Sequence, residues 1–229
     1  MEDPRAYEEL RVAFTAAVSH ELRTPLARLL ALLESAGLED ADTPQLLAQA
    51  RAEVEEMRAL VDDILFLSEL ESGHEVVSLG STPVAPVLEE VRERLADRAE
   101  RADVAIELDV EPGTTLPLRR RMLQVVAENL ADNAIRYAGP RATLTLRARP
   151  GLLAAEDDGP GVADAELPRL FERFYRGDRA RASRGTGLGL AIVKHVVTAA
   201  GGDVEATAGS RRGLHVVCRF PTNERGRAS

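Results

Sequence analysis

Apolar residues along the first third of the chain recur at steps of three and four. Phe14, Val18, Leu22, Pro25, Leu29 and Leu33 fall on one stripe at about 100° per residue, which predicts one long amphipathic helix over 5–36. Gly37 and the polar run Glu39-Asp40-Ala41-Asp42-Thr43 break it. Thr43-Pro44 reads as an N-cap with proline in the first turn, opening a second helix to about Ser72-Gly73. Its stripe is Leu47, Ala50, Val54, Met57, Val61, Ile64 and Leu67, close to a heptad rhythm. Two long helices on a short loop make an antiparallel hairpin. A hairpin cannot cover two apolar stripes by itself, so the expectation is a symmetric dimer with four helices around one core. Packing of the hairpin on the rest of its own chain is the alternative.

The pattern then changes. Ser78 to Pro86, with Gly80, Pro83 and Pro86, reads as an interdomain boundary. A helix is expected over 84–101. Strict alternation predicts a strand over 104–110, ended by Pro112-Gly113. A helix over 119–137 stops at Gly139-Pro140, and strands follow over 142–149 and 152–157. Residues 167–175 carry a short helical pattern, and 176–184 form an arginine-rich loop expected to be mobile. A helix opens at Gly185 and runs to about Ala200, Gly201-Gly202 ends it, and strands over 204–208 and 214–220 close the chain. Helices and strands mixed without a βαβ rhythm predict an α/β sandwich, one sheet faced by helices. The expected limits are 1–76 for the hairpin, 77–222 for the sandwich and 223–229 for a frayed tail.

Composition narrows the function. With 229 residues and 45% hydrophobic content the chain can bury a sizeable core. No apolar run approaches the roughly 18–20 residues that span a bilayer. The first residues are acidic and polar, so no signal peptide is expected. A net charge of −9 argues against a nucleic-acid binder that works by neutralising phosphates. Cys218 is the single cysteine and sits in an alternating apolar stretch, as a buried structural thiol would. The four histidines have no metal-ligand spacing.

Four stretches could carry chemistry. In Ser19-His20-Glu21-Leu22-Arg23-Thr24-Pro25, His20 falls close to the side opposite the apolar stripe, beside a carboxylate. Pro25 has no N–H for the Glu21 carbonyl, which predicts a bend or loosening there. Asn129 and Asn133 are four apart on one helix face, and Arg136 is near them. Amide oxygens suit Mg²⁺ or its water shell, although two solvated asparagines would look the same. Asp157-Asp158-Gly159-Pro160-Gly161 ends a strand. A carboxylate there could accept from an exocyclic amine, with glycines letting the backbone approach a planar ligand, or it could be a plain turn. Gly185-Thr186-Gly187-Leu188-Gly189 opens a helix, an anion-favouring place, but lacks the ending of a P-loop and the setting of a dinucleotide fold.

In this order the four stretches resemble the sensor histidine kinases of bacterial two-component systems, over residues 5–221. Phe14–Leu26 resembles the phosphoacceptor box, Asn129–Tyr137 the N box, and Asp157–Gly161 the first glycine box. Phe171–Tyr175 resembles the F box and Gly185–Leu190 the second glycine box. The resemblance implies a helical hairpin, a four-helix bundle as a dimer, followed by an α/β sandwich ATP-binding domain of the histidine kinase/Hsp90-like type. It implies an ATP-dependent autokinase in which His20 is phosphorylated, Glu21 is its acid–base partner and Thr24 orients water in a phosphatase reaction. Asn133 and Asn129 would hold Mg²⁺, Asp157 would bind the adenine amine, and Tyr137 would lie against the ring. Gly159 and Gly161 would let the backbone approach. Arg136 and Arg176 would contact phosphate, and Gly185, Thr186, Gly187, Leu188 and Gly189 would enclose it. The implied partners are a second copy through the hairpin and the receiver domain of a response regulator. The implied location is cytoplasmic, as a soluble kinase or the cytoplasmic part of an inner-membrane sensor. An ATP-binding scaffold, or an ATPase of the same fold, is the alternative. One departure is Leu118-Arg119-Arg120-Arg121, which has no acid where the family often carries one.

Overall fold

The computed structural model describes residues 4–38, 42–71, 80–177, 185–209 and 213–222. Most of the arginine-rich loop, the polar tail, the linker residues 72–79 and the side chain of Phe14 lie outside the described residues. The chain forms two compact units, Met1–Leu65 and Phe66–Ser229.

The first unit holds the hairpin except for residues 66–71, the end of its second helix, which fall in the second unit. Helix α1 (Pro4–Ala36) runs unbroken through Pro25. The Thr24 hydroxyl donates to the His20 carbonyl at 3.4 Å, and that of Ser19 to the Thr15 carbonyl at 2.9 Å. Helix α2 (Thr43–Glu71) is capped one residue earlier than the sequence suggests, because Asp42 Oδ1 accepts the Gln45 N–H at 3.2 Å. The α2 stripe also divides. Ala50 and Leu60 are buried and Met57 and Ile64 half-buried, whereas Leu47, Val54 and Val61 remain 50%, 51% and 42% exposed. On α1, Val18, Leu22, Pro25 and Leu29 are half-buried, but Leu33 is exposed beside Leu26 and Leu30. Each helix therefore carries two adjoining apolar sets, one buried or half-buried and one exposed. An acid, Glu53, sits among the buried set at 3% exposure, with Oε1 3.9 Å from Arg28 Nη1.

The second unit is a five-stranded sheet of order β2-β4-β5-β7-β6. The strands are β2 (Val104–Val110), β4 (Ala142–Arg149), β5 (Leu152–Asp157), β6 (Asp203–Ala208) and β7 (Leu214–Arg219). A two-stranded ribbon, β1 (Thr82–Pro83) with β3 (Thr115–Leu116), stands apart. Strands β2 and β4 are parallel and joined through α4 (Arg120–Tyr137), so one crossover unit is present that the element pattern had not suggested. The other neighbours in the sheet are antiparallel. Helices α3 (Val84–Ala102), α4 and α5 (Gly189–Ala199) bury Val87, Val91, Met122, Val126, Ile192 and Val196. The sheet contributes Leu144, Leu146, Leu153, Val216 and Cys218 to the same core. Burial pushes the Cys218 thiol up to about 12, so it stays protonated and inert.

Two expected helices are shorter in the structure. Residues 167–175 contain only a 3-10 turn, Leu167–Arg169, and Phe174 adopts φ 62°. Helix α5 starts at Gly189, not Gly185. The four residues before it form a loop in which the Leu188 N–H meets Thr186 Oγ1 at 3.2 Å. At the start of α4, Arg119 makes no side-chain cap, and Arg120 pairs with Glu90 of α3.

Candidate functional site

The phosphoacceptor candidates lie in the first unit. The His20 side chain is 75% exposed, and its Nδ1 is 3.5 Å from Glu21 Oε1. Helical spacing puts His20 and Thr24 one turn apart, and the Thr24 hydroxyl rests on the His20 carbonyl. Glu21 is half-buried and Thr24 exposed, so all three are grouped at the solvent side of α1. The imidazole is open to an approaching group, with a carboxylate on its Nδ1 edge.

The other candidates converge in the second unit. Helix α4 lays Asn129, Asn133, Arg136 and Tyr137 along one stretch of its surface, all half-buried. Asn129 Nδ2 donates to the Val125 carbonyl at 2.9 Å. Its Oδ1 therefore faces the start of α5, 2.6 Å from where a Cβ on Gly189 would stand. Asn133 makes no side-chain hydrogen bond among the described residues. It lines a small cavity of about 10 Å³ together with Leu130, Ala134, Leu144, Ala155, Asp157, Leu214 and Val216. Asp157 is 7% exposed. Burial pushes its carboxyl above the usual range, and the charges of Asp158 and Glu156 push the same way. The backbone N–H groups of Gly159 and Leu214 oppose that shift, Gly159 donating to Oδ1 at 2.9 Å. A buried carboxylate among apolar side chains has the chemistry to accept from an amine donor, although the cavity beside it has room for no more than about one water.

The glycines set the walls. A Cβ on Gly159 would stand 2.6 Å from the Ala138 backbone, at the end of α4. Gly161 follows in the same loop with φ 71°. Gly185 sits against Tyr137 Oη and Arg136 Nη1, where a Cβ would stand 2.8 and 3.7 Å from them. The Gly187 carbonyl accepts the Phe174 N–H at 3.0 Å, so F box and second glycine box are clasped together. Gly187 has φ 67°, and a Cβ there would stand 2.8–3.1 Å from the Phe174 backbone. Gly187→Ala is therefore expected to cost about 1–3 kcal/mol. The check is a lowered melting temperature together with weaker nucleotide binding.

Leu188 fits the sequence reading least well. Its side chain is fully buried in the core, so only its backbone is available to a ligand. Arg176 is half-buried, directly ahead of the segment 178–184. Gly213 was missed. A Cβ there would collide with the Asp157 carbonyl at 1.7 Å, so it is the glycine that lets β7 pass the carboxylate. Its only sequence signal is a lone glycine before an alternating run, which reads as an ordinary turn.

Residues 119–224 match the histidine kinase-, DNA gyrase B- and HSP90-like ATPase family, and residues 10–73 match the His Kinase A (phospho-acceptor) domain. The mycobacterial sensor histidine kinase MprB is 31% identical, with 63% of this chain covering 99% of that structure at a TM-score of 0.55. The chain belongs to the histidine kinases. The Acinetobacter baumannii histidine kinase AdeS is 28% identical, covering 90% of this chain and 98% of that one at a TM-score of 0.70. The signal transduction histidine-protein kinase BaeS of Escherichia coli (strain K12) is 35% identical over 227 residues, 93% of this chain. Those residues are 47% of BaeS, so this histidine kinase chain spans about half the length of the curated relatives it matches. No helix among the described residues is long and apolar enough to cross a membrane.

Proposed function

We propose that the chain is the catalytic region of an ATP-dependent protein-histidine kinase. It phosphorylates itself on His20 and passes the phosphoryl group to an aspartate of a response regulator. The observation that carries this reading is an exposed imidazole with a carboxylate 3.5 Å from its Nδ1, in a chain that also belongs to an ATPase family. Because Nδ1 faces Glu21, Nε2 is the attacking atom. It forms an N–P bond to the γ-phosphorus as the P–O bond to ADP breaks, and Glu21 takes up the proton from Nδ1. Asp157 accepts the adenine amine, and Tyr137 lies against the ring. Arg136 and Arg176 meet phosphate, while Gly159, Gly161 and the stretch Gly185-Thr186-Gly187-Leu188-Gly189 allow the backbone to close on the nucleotide. Asn133 and Asn129 would hold Mg²⁺, which would supply neutralisation of phosphate charge. Thr24 orients water in a separate phosphatase reaction, the hydrolysis of the regulator's aspartyl phosphate to aspartate and inorganic phosphate.

The domain limits are 1–76 and 77–222, with a tail at 223–229. The chain acts in the cytoplasm, as a soluble kinase or as the cytoplasmic part of an inner-membrane sensor. The receiver domain docks on the hairpin. The hairpin dimerises through the exposed apolar sets, which include Leu26, Leu30, Leu47, Val54 and Val61. Replacing Val54 and Val61 together by aspartate is expected to leave helicity intact, since neither residue is buried inside the hairpin. The same change should convert a dimer to a monomer in light scattering.

The test is incubation with γ-labelled ATP and Mg²⁺. Label that is acid-labile and alkali-stable, and that moves to a receiver domain, supports the reading. ATP turnover with no label on the protein would make the chain an ATPase instead. Nucleotide binding with neither would make it a scaffold.

A further inference from the structure

Asp132 lies between the two asparagines of the N box, and the reading above gives it no role. Its two carboxylate oxygens serve different helices. Oδ2 accepts the Arg136 Nε–H at 2.7 Å, one turn further along α4. Oδ1 accepts from Arg98 Nη2 of α3. The grip on Arg136 is through Nε. Nη1 lies 3.7 Å from where a Cβ on Gly185 would stand. Two more ion pairs join the same helices, Arg94 with Glu128 and Arg120 with Glu90, and neither includes Arg136.

We propose that Asp132 is a positioning residue for phosphate recognition, holding the guanidinium of Arg136 toward the glycine loop while Arg98 fixes the plane of the carboxylate. The physical reason is entropic. An arginine side chain has rotamer freedom to lose, and a second charged group that has already ordered it removes much of that cost from ligand binding. Arg98 keeps the carboxylate from following Arg136 when the guanidinium engages an anion. The inference rests on the reading of Arg136 as a phosphate ligand.

The experiment compares ATP with adenosine, which has the base and sugar but no phosphate, by calorimetric titration of the whole chain. Asp132→Asn keeps the side-chain shape and removes the charge. It is expected to weaken ATP about tenfold and to leave adenosine unchanged. Arg136→Ala should do the same, and the double variant should bind ATP no more weakly than Arg136→Ala alone. Arg94→Ala, which breaks a neighbouring rung of the same ladder, should bind both ligands as the unaltered chain does. Equal losses for ATP and adenosine in Asp132→Asn would mean a general loosening of α4 and would overturn the proposal. So would full ATP affinity in Asp132→Asn alongside a loss in Arg136→Ala, which leaves the phosphate reading standing. Full ATP affinity in Arg136→Ala would remove the phosphate reading itself, and the role of Asp132 with it.

Discussion

Replacing His20 by alanine is expected to give a folded, nucleotide-binding chain that takes up no label from γ-labelled ATP. The His20 side chain is 75% exposed, so its removal costs little packing, and surface changes of this kind usually stay within about 0.5 kcal/mol. The loss is therefore chemical, because the attacking nitrogen is gone. Glu21→Gln keeps the nucleophile and most of the shape but cannot take the Nδ1 proton as a carboxylate does. General-base assistance of this kind is worth on the order of a hundredfold or more, so Glu21→Gln should retain slow labelling where His20→Ala retains none. Phosphate-tag electrophoresis measures both on one gel. Label that persists undiminished in His20→Ala would place the acceptor elsewhere and sink the autokinase reading at its centre.

The fold was legible where one pattern had one cause. Strands over 104–110 and 142–149 alternate in sequence, apolar positions against polar ones, and their observed bounds coincide with the expected ones, as do those of the non-alternating strand 152–157. His20 was legible as solvent-facing because the stripe beside it fixes the rotation of α1. The pattern failed where two causes overlap. On α2, Ala50, Met57, Leu60 and Ile64 are buried or half-buried, while Leu47, Val54 and Val61 are exposed. Both sets are apolar and adjacent, so the sequence blends them into one broad stripe. Glu53 breaks that logic from the other side, because a charged residue reads as surface until its contact with Arg28 is seen. The parallel pairing of β2 with β4 and the left-handed Phe174 have no local signal at all. Each is decided by what a distant segment presents, the Gly187 carbonyl in the case of Phe174. Asp157 was legible as a buried carboxylate by its place at a strand end, and the structure gives its depth, 7% exposure.

That depth is what makes Asp157→Asn informative. Oδ1 of the acid accepts the Gly159 N–H at 2.9 Å, and an asparagine that keeps this bond must put its NH₂ where Oδ2 stood. A donor would then face the adenine amine, itself a donor, in a buried place where neither finds water. ATP affinity is expected to fall on the order of a hundredfold or more, and ADP and adenosine should fall with it, because all three share the base. The same substitution changes how stability depends on pH. Burial raises the carboxyl above its ordinary value of 3.8, so the folded chain binds that proton more tightly than the unfolded chain. The contribution is complete below the unfolded value and is lost as pH rises through the raised one. Without ligand, the melting temperature of the unaltered chain relative to Asp157→Asn should therefore decline as pH climbs out of the acidic range. Saturating ATP should flatten that decline, because an amine donor on Oδ2 compensates the buried charge. Thermal melts of both proteins across that range, with and without nucleotide, measure the slopes directly. An Asp157→Asn chain that bound ATP normally would show that the base is read elsewhere.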